Sequence, residues 1–179
     1  MRNLIRSEVE NITPCDELER QHRADVLAWI DSGAELCRLE KPDIPPKHLV
    51  SDVVVLSRNA ILLVDHRSAR LWLPTGGHVE PRELPRETAK RELFEELGIA
   101  ATGMIGAPRF VTCTTTVGMT SGHVDVSLWY VVEVDRDQPL KYDNQEFVSV
   151  RWFTFPNIPF ERSDPHMERF ITKIGKWSR

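Results

Sequence analysis

Cysteine is scarce: Cys15, Cys37 and Cys113 are the three in 179 residues, and no two of them form a Cys-x-x-Cys pair. That excludes a disulfide framework and a zinc knuckle, and it fits a reducing compartment. No apolar run approaches the roughly 18 residues a spanning helix needs, and the opening residues MRNLIRSEVENI lack the apolar stretch of a signal peptide. The expectation is a cytoplasmic chain without a membrane partner. Repeats and low-complexity tracts are missing too, which excludes a solenoid. Basic charge is not in excess: 23 Lys and Arg stand against 27 Asp and Glu, a formal net charge of -4. A nucleic-acid polymer is therefore not the expected partner, because such partners are held by basic faces. A small anion bridged by metal remains compatible with that balance.

What is present fits one globular domain with a modest appendage, with 41% hydrophobic and 28% charged residues. Thr13-Pro14-Cys15-Asp16 reads as a helix start with Thr13 as cap, and Leu18, Val26, Trp29 and Ile30 recur at helical spacing up to a stop at Ser32-Gly33. Pro42, Pro45 and Pro46 then make an extended connector. Residues 1–46 are thus read as a helical extension and 47–179 as the main domain. Strands are expected over His48 to Leu56, Ala60 to Val64 after a turn at Arg58-Asn59, Phe110 to Thr116, His123 to Val134 and Phe147 to Phe155, with a short apolar stretch at Leu71-Trp72-Leu73-Pro74 between the second and third. Helices are expected from Arg86 to Leu97, with Ala89, Leu93 and Leu97 as one buried stripe and Gly98 as the stop, and from Met167 to Trp177, with Phe170, Ile171 and Ile174 inward. The fold class is α/β.

The segment from Gly77 to Ile99, GHVEPRELPRETAKRELFEELGI, joins a glycine loop to a helix rich in acid. At about 100° per residue, Glu95 and Glu96 fall roughly 60° to one side and 40° to the other of Glu92, so the three carboxylates share a face. Like charges at these spacings cost a bare helix about 0.2–0.5 kcal/mol per pair, a cost that a bound cation reverses. Carboxylates without nearby His or Cys favour Mg²⁺ or Mn²⁺ over zinc, and Mg²⁺ characteristically takes up phosphate oxygens.

The order Gly77, Glu83, Arg91-Glu92-Leu93, Glu95-Glu96 and Gly98-Ile99 resembles the complete Nudix box of MutT-like hydrolases. Chance recurrence of these positions is on the order of 10⁻⁷ in a chain this long. The resemblance implies an α/β/α sandwich with a mixed sheet, here carrying an N-terminal helical extension. It also implies divalent metal over the helix, with Glu95, Glu96 and the Gly77 carbonyl as ligands and Glu92 as a further ligand or the base. Arg91 is expected to orient Glu92, and Glu83 to tether the loop to the helix. Glu146, ahead of Arg151-Trp152-Phe153, resembles a later family acid that serves as metal ligand or base. Arg67 is a candidate phosphate contact.

Three departures from the family pattern stand out: Thr75 where Pro is common, Arg82 where Gly is common, and Leu84-Pro85 in place of a small helix cap. Arg82 lacks glycine's backbone freedom, which predicts another loop path and an added charge for an anionic substrate. None of the three is expected to touch a metal ligand. His123 and Asp125 alternate on one strand face and, with Asp164, are candidates to line a base or sugar pocket.

The implied activity is Mg²⁺-dependent hydrolysis of a phosphoanhydride in a small nucleotide, foremost a nucleoside triphosphate cut to monophosphate and pyrophosphate. ADP-ribose, nucleotide sugars and dinucleoside polyphosphates are alternatives, and a non-catalytic nucleotide-binding regulator is the alternative of another class. The N-terminal 45 residues are candidates for capping the sheet, building a homodimer or closing the pocket.

Overall fold

In a computed structural model, which describes residues 1–41, 44–100, 105–116 and 122–175, the β-branched run after the prolines forms a long central strand, β1 (Lys47–Ser57). A two-residue turn at Arg58-Asn59 pairs Ser57 with Ala60 and starts β2 (Ala60–His66). Then come β3 (Leu71–Leu73), β4 (Thr75–His78), β5 (Phe110–Thr115), β6 (Val124–Glu133) and β7 (Phe147–Thr154). The sheet runs β3-β2-β1-β6-β5, with β4 also on β1 and β7 also on β2. β1 and β6 are parallel, whereas β2, β4 and β5 pair antiparallel with their neighbours, so the sheet is mixed.

Period-2 alternation divides the core between two faces. Val53, Val55, Leu62, Val64, Leu128 and Tyr130 enter one cluster, while Val54, Leu56, Ile61, Leu63 and Trp129 enter the other. The first face is covered by α3 (Pro85–Leu97), through Ala89, Leu93 and Leu97, together with α1 (Arg2–Glu10) and α2 (Glu17–Asp31). The second is covered by α4 (Met167–Gly175), whose Phe170 ring lies against Phe110 and Trp129. Helices on both faces of a mixed sheet make the expected sandwich.

Several boundaries differ from the sequence reading. Thr13 is not the cap of α2: Asp16 accepts from Glu19 N at 2.8 Å, and Glu19 reaches back to Cys15 N at 2.7 Å, a reciprocal box three residues further on. Helix α1 was not expected. Ile5, Val9 and Ile12 are buried at helical spacing, but with polar residues between them and no capping side chain they gave a weak signal. Leu18 is 40% exposed, while Val26 and Ile30 carry the buried face of α2. The proposed end of the last helix at Trp177, and Pro42 in the connector, lie outside the described residues.

α2 packs along β5 and reaches α4. Asp16 receives two bonds from Arg169, at 2.6 and 2.8 Å, and buried Lys173 donates to buried Glu19 at 2.5 Å. Arg169 beside it, against the opposing effect of burial, holds the Asp16 carboxyl below the ordinary carboxylate range. The N-terminal helices therefore share the core and the ion pairs of the sandwich.

Among the described residues, no helix is long and apolar enough to cross a membrane.

Candidate active site

Antiparallel pairing of β4 with β1 sets Gly77 opposite Ser51 and Gly76 opposite Asp52. At that point the chain lies so close to its neighbours that side chains do not fit. A Cβ on Gly76 would come within 2.3 Å of the Ser51 carbonyl oxygen, and one on Gly77 within 2.1 Å of the Glu92 carboxylate. Glycine there lets the acidic face of α3 reach the backbone of β4.

α3 begins with Pro85 at its first turn and Leu84 as a cap without a side-chain bond, and it ends at Gly98, which takes the left-handed conformation at φ 70°. Helix and loop are tied by Glu83. It accepts from Arg91 at 3.0 and 3.1 Å and from Thr88 at 2.7 Å. Burial acts to raise its pKa, and these bonds outweigh it, so the carboxyl sits below its ordinary value. Arg91 also donates to Glu92 at 2.7 Å and to Glu95 at 3.2 Å. One guanidinium thus gathers three carboxylates.

Glu96 is the most enclosed of the acids on α3, at 8% exposure. The Thr75 hydroxyl and the Gly76 N–H both donate to it, the latter at 3.1 Å. Burial, with Glu146 and Glu92 adding repulsion, pushes its pKa up to about 8 despite those bonds. Glu92 is likewise raised, first by burial and then by Glu95 and Glu146. This is a surplus of negative charge in a confined place, and an oxygen-coordinated divalent cation would relieve it. Thr75 corrects the expectation that no departure touches a proposed ligand, since its hydroxyl bonds Glu96 and a proline there would lack that donor.

These groups line one end of a cleft of about 900 Å³. Gly77, Glu92, Glu95, Glu96 and Glu146 meet there, and Asp125 and Asp164 line the same cleft. Asp164 accepts from His166 N at 2.7 Å at the start of α4, and burial pushes its pKa up to about 6. Three candidates do not line the cleft: His123, whose Nε2 lies 3.2 Å from Asp125 Oδ1, Arg67 and Arg82. Arg67 is exposed, donates to the Asn144 carbonyl at 2.9 Å and lines a separate depression with Asp65 and Arg162. Arg82 is exposed and does not line the cleft.

At Arg82 the chain takes a backbone conformation that glycine adopts freely. Arg82 itself adopts the left-handed conformation, at φ 73°. A non-glycine residue held there costs roughly 1–2 kcal/mol, partly offset by glycine's greater unfolded-state entropy. Arg82→Gly is therefore expected to stabilise the chain by about 1 kcal/mol, read as a higher urea midpoint at unchanged slope. No gain would mean that the arginine makes compensating contacts.

Sequence reasoning missed Asp52, His48 and His78. Asp52 lies deep in the cleft, where burial and then Asp164 push its pKa up to about 8. An acid within the apolar run of β1, in step with His48 two turns of the pleat earlier, was the available signal. His78 is lowered to about 4 by burial and by Arg38.

The NUDIX domain family matches residues 46–174. An RNA pyrophosphohydrolase from Rhodopseudomonas palustris (strain BisB18) is 26% identical over 162 residues, covering 74% of this chain and 90% of that protein. Among solved structures, a Caenorhabditis elegans Ap4A hydrolase matches with a TM-score of 0.58 at 14% identity, over 72% of this chain and 96% of that one. The Escherichia coli dihydroneopterin triphosphate pyrophosphohydrolase also matches with a TM-score of 0.58, at 15% identity, over 78% and 99%. At these identities the structural likenesses speak for the fold.

Proposed function

Because this chain belongs to the NUDIX family and is a pyrophosphate-bond hydrolase, we propose that it cleaves a nucleoside triphosphate to the monophosphate and pyrophosphate. Mg²⁺, or Mn²⁺ in its place, would be held by Glu92, Glu95, Glu96 and the Gly77 carbonyl. The observation that carries this reading is the convergence of Glu92, Glu96 and Glu146 at one end of the cleft, with hydroxyls and carboxylates along the rest. The acidic end suits a metal-bridged diphosphate. The remaining space, lined by Thr112, Thr114, Ser127, Asp125 and Asp164, suits a sugar and base.

When bound, the divalent cation supplies Lewis acidity for the phosphate oxygens and acidifies the attacking water. The chain's own groups do the rest. Glu146 accepts the proton of the water that attacks phosphorus. Among the described residues no arginine pairs with its carboxylate, and His66 Nε2 lies 3.8 Å from it. The bridging P–O bond breaks as the new P–O bond forms, and pyrophosphate leaves. Arg91 keeps Glu92 turned toward Gly77, and Thr75 and Gly76 N–H hold Glu96. Glu83 acts only on the loop, through Arg91 and Thr88.

The test is product analysis by phosphorus NMR after incubation with Mg²⁺ and nucleoside triphosphates, ADP-ribose, a nucleotide sugar, a dinucleoside polyphosphate or a 5′-triphosphorylated RNA. Triphosphates are expected to give monophosphate and pyrophosphate with kcat/KM at least about tenfold above the others. Preferred cleavage of another compound would overturn the substrate assignment. Binding of nucleotides with no turnover would overturn the enzymatic one.

A further inference from the structure

Beside Gly77, three histidines and an aspartate face one another. Lys47 to Leu56 pairs in parallel with β6, which sets His48 directly opposite Asp125, and His78 of β4 lies opposite Val50, two residues along β1. His123 precedes Asp125 by two. The pleat therefore projects all four side chains on one side of the sheet. One donor atom from each of His48, His78, His123 and Asp125 lies within 4.8 Å of every other.

We propose that these four residues form a second metal site, for Zn²⁺ or a similar borderline dication, distinct from the carboxylate site on α3. The separations already suit such an ion. Asp125 Oδ1 lies 3.4 Å from His48 Nε2 and 3.2 Å from His123 Nε2. Four ligands in a tetrahedron at the usual Zn–N and Zn–O distances stand about 3.3 Å apart.

The histidines are also oriented from behind. His48 Nδ1 lies 2.8 Å from the Pro45 carbonyl, to which only an N–H can bond, so its Nε2 is the nitrogen turned to the cluster. His123 Nδ1 lies 3.2 Å from the Thr116 hydroxyl, which leaves its Nε2 facing Asp125. Backbone and hydroxyl partners on the far nitrogen are what metal-binding imidazoles characteristically have.

The near sides lack such satisfaction. His48 Nε2 and Asp125 Oδ1 are buried and make no hydrogen bond. Two nitrogens aimed at one carboxylate oxygen need a cation among them, either protons on the rings or a shared metal. Three imidazoles and a carboxylate are a donor set for zinc, not for magnesium. His78 completes the shell with a ring nitrogen within 4.8 Å of the other three donors, and Arg38 lies 3.3 Å from its Nε2. Four protein ligands close the site, as in structural zinc centres. It would staple β4, β1 and β6 beside Gly77, and its proposed role is to fix that backbone. This inference does not depend on the hydrolase reading.

The test is titration of the full chain with Co²⁺, a visible stand-in for Zn²⁺. Intense d–d absorption of a four-coordinate ion should saturate at one equivalent and be bleached by Zn²⁺ but not by excess Mg²⁺. It should persist in Glu95→Gln/Glu96→Gln. In His123→Gln and in Asp125→Asn, with far-UV circular dichroism as wild type, affinity should fall by more than about 100-fold, beyond the range for loss of a mere outer partner. Absorption that is absent or only weak and octahedral in the wild-type chain would overturn the proposal, leaving protonated histidines as the cation. So would absorption lost in the glutamate variants and retained in the others.

Discussion

Glu96→Gln is expected to lower kcat roughly 10²–10³-fold, with KM little changed and no loss of folding stability. The magnitude is that of removing one group that acts chiefly on charge developing in the transition state. Stability is spared for a physical reason. Glu96 is 8% exposed beside Glu92 and Glu146, so the neutral isostere removes a desolvated, repelled charge without removing volume. A carboxamide still accepts from Thr75 and from Gly76 N–H, so the loop keeps its anchor. Steady-state kinetics on the cleaved nucleotide, with a thermal melt of the same sample, separates the two effects. A parallel fall in melting temperature would show that Glu96 serves the fold.

Lys173→Met should cost about 3–5 kcal/mol, a large share of the 5–15 kcal/mol that holds an ordinary domain together. Lys173 and Glu19 are 3% and 0% exposed, and the pair links α4 to α2 at 2.5 Å. Removing the ammonium leaves a carboxylate in the interior that, among the described residues, Cys15 alone engages, through its N–H at 2.7 Å and its thiol. The double variant Glu19→Gln/Lys173→Met should recover most of the loss, because the amide keeps the Cys15 contact and carries no charge. Urea midpoints at constant slope decide this. A single-variant loss under about 1 kcal/mol would mean that α2 is not fastened to the sandwich in this way.

Local periodicity made most elements legible. The β-branched run of β1, the stripe of Ala89, Leu93 and Leu97, and the Gly98 stop each state a conformation within a few residues, and the α3 carboxylates follow from helical geometry alone. What escaped was long-range. α1 shows two buried positions, Ile5 and Val9, that mean little until the sheet beneath them is known. Thr75 reads as a departure from a motif until β4 is laid beside α3, when its hydroxyl meets Glu96 across 21 positions. His48, His78 and His123 come together only through the register of β4, β1 and β6. Arg67 and Arg82 are cations close to the motif in sequence, but neither lines the cleft, Arg67 bonding the Asn144 carbonyl instead.

The central claim is that catalysis depends on metal held by the acidic face of α3. Its most direct test is the turnover of Glu95→Gln/Glu96→Gln against Mg²⁺ concentration, on the nucleotide that the wild-type chain cleaves fastest. The account predicts that wild-type turnover vanishes in a chelator and returns with Mg²⁺, while the double variant stays near background at every concentration. Wild-type rates in the double variant, or turnover that ignores the chelator, would contradict it.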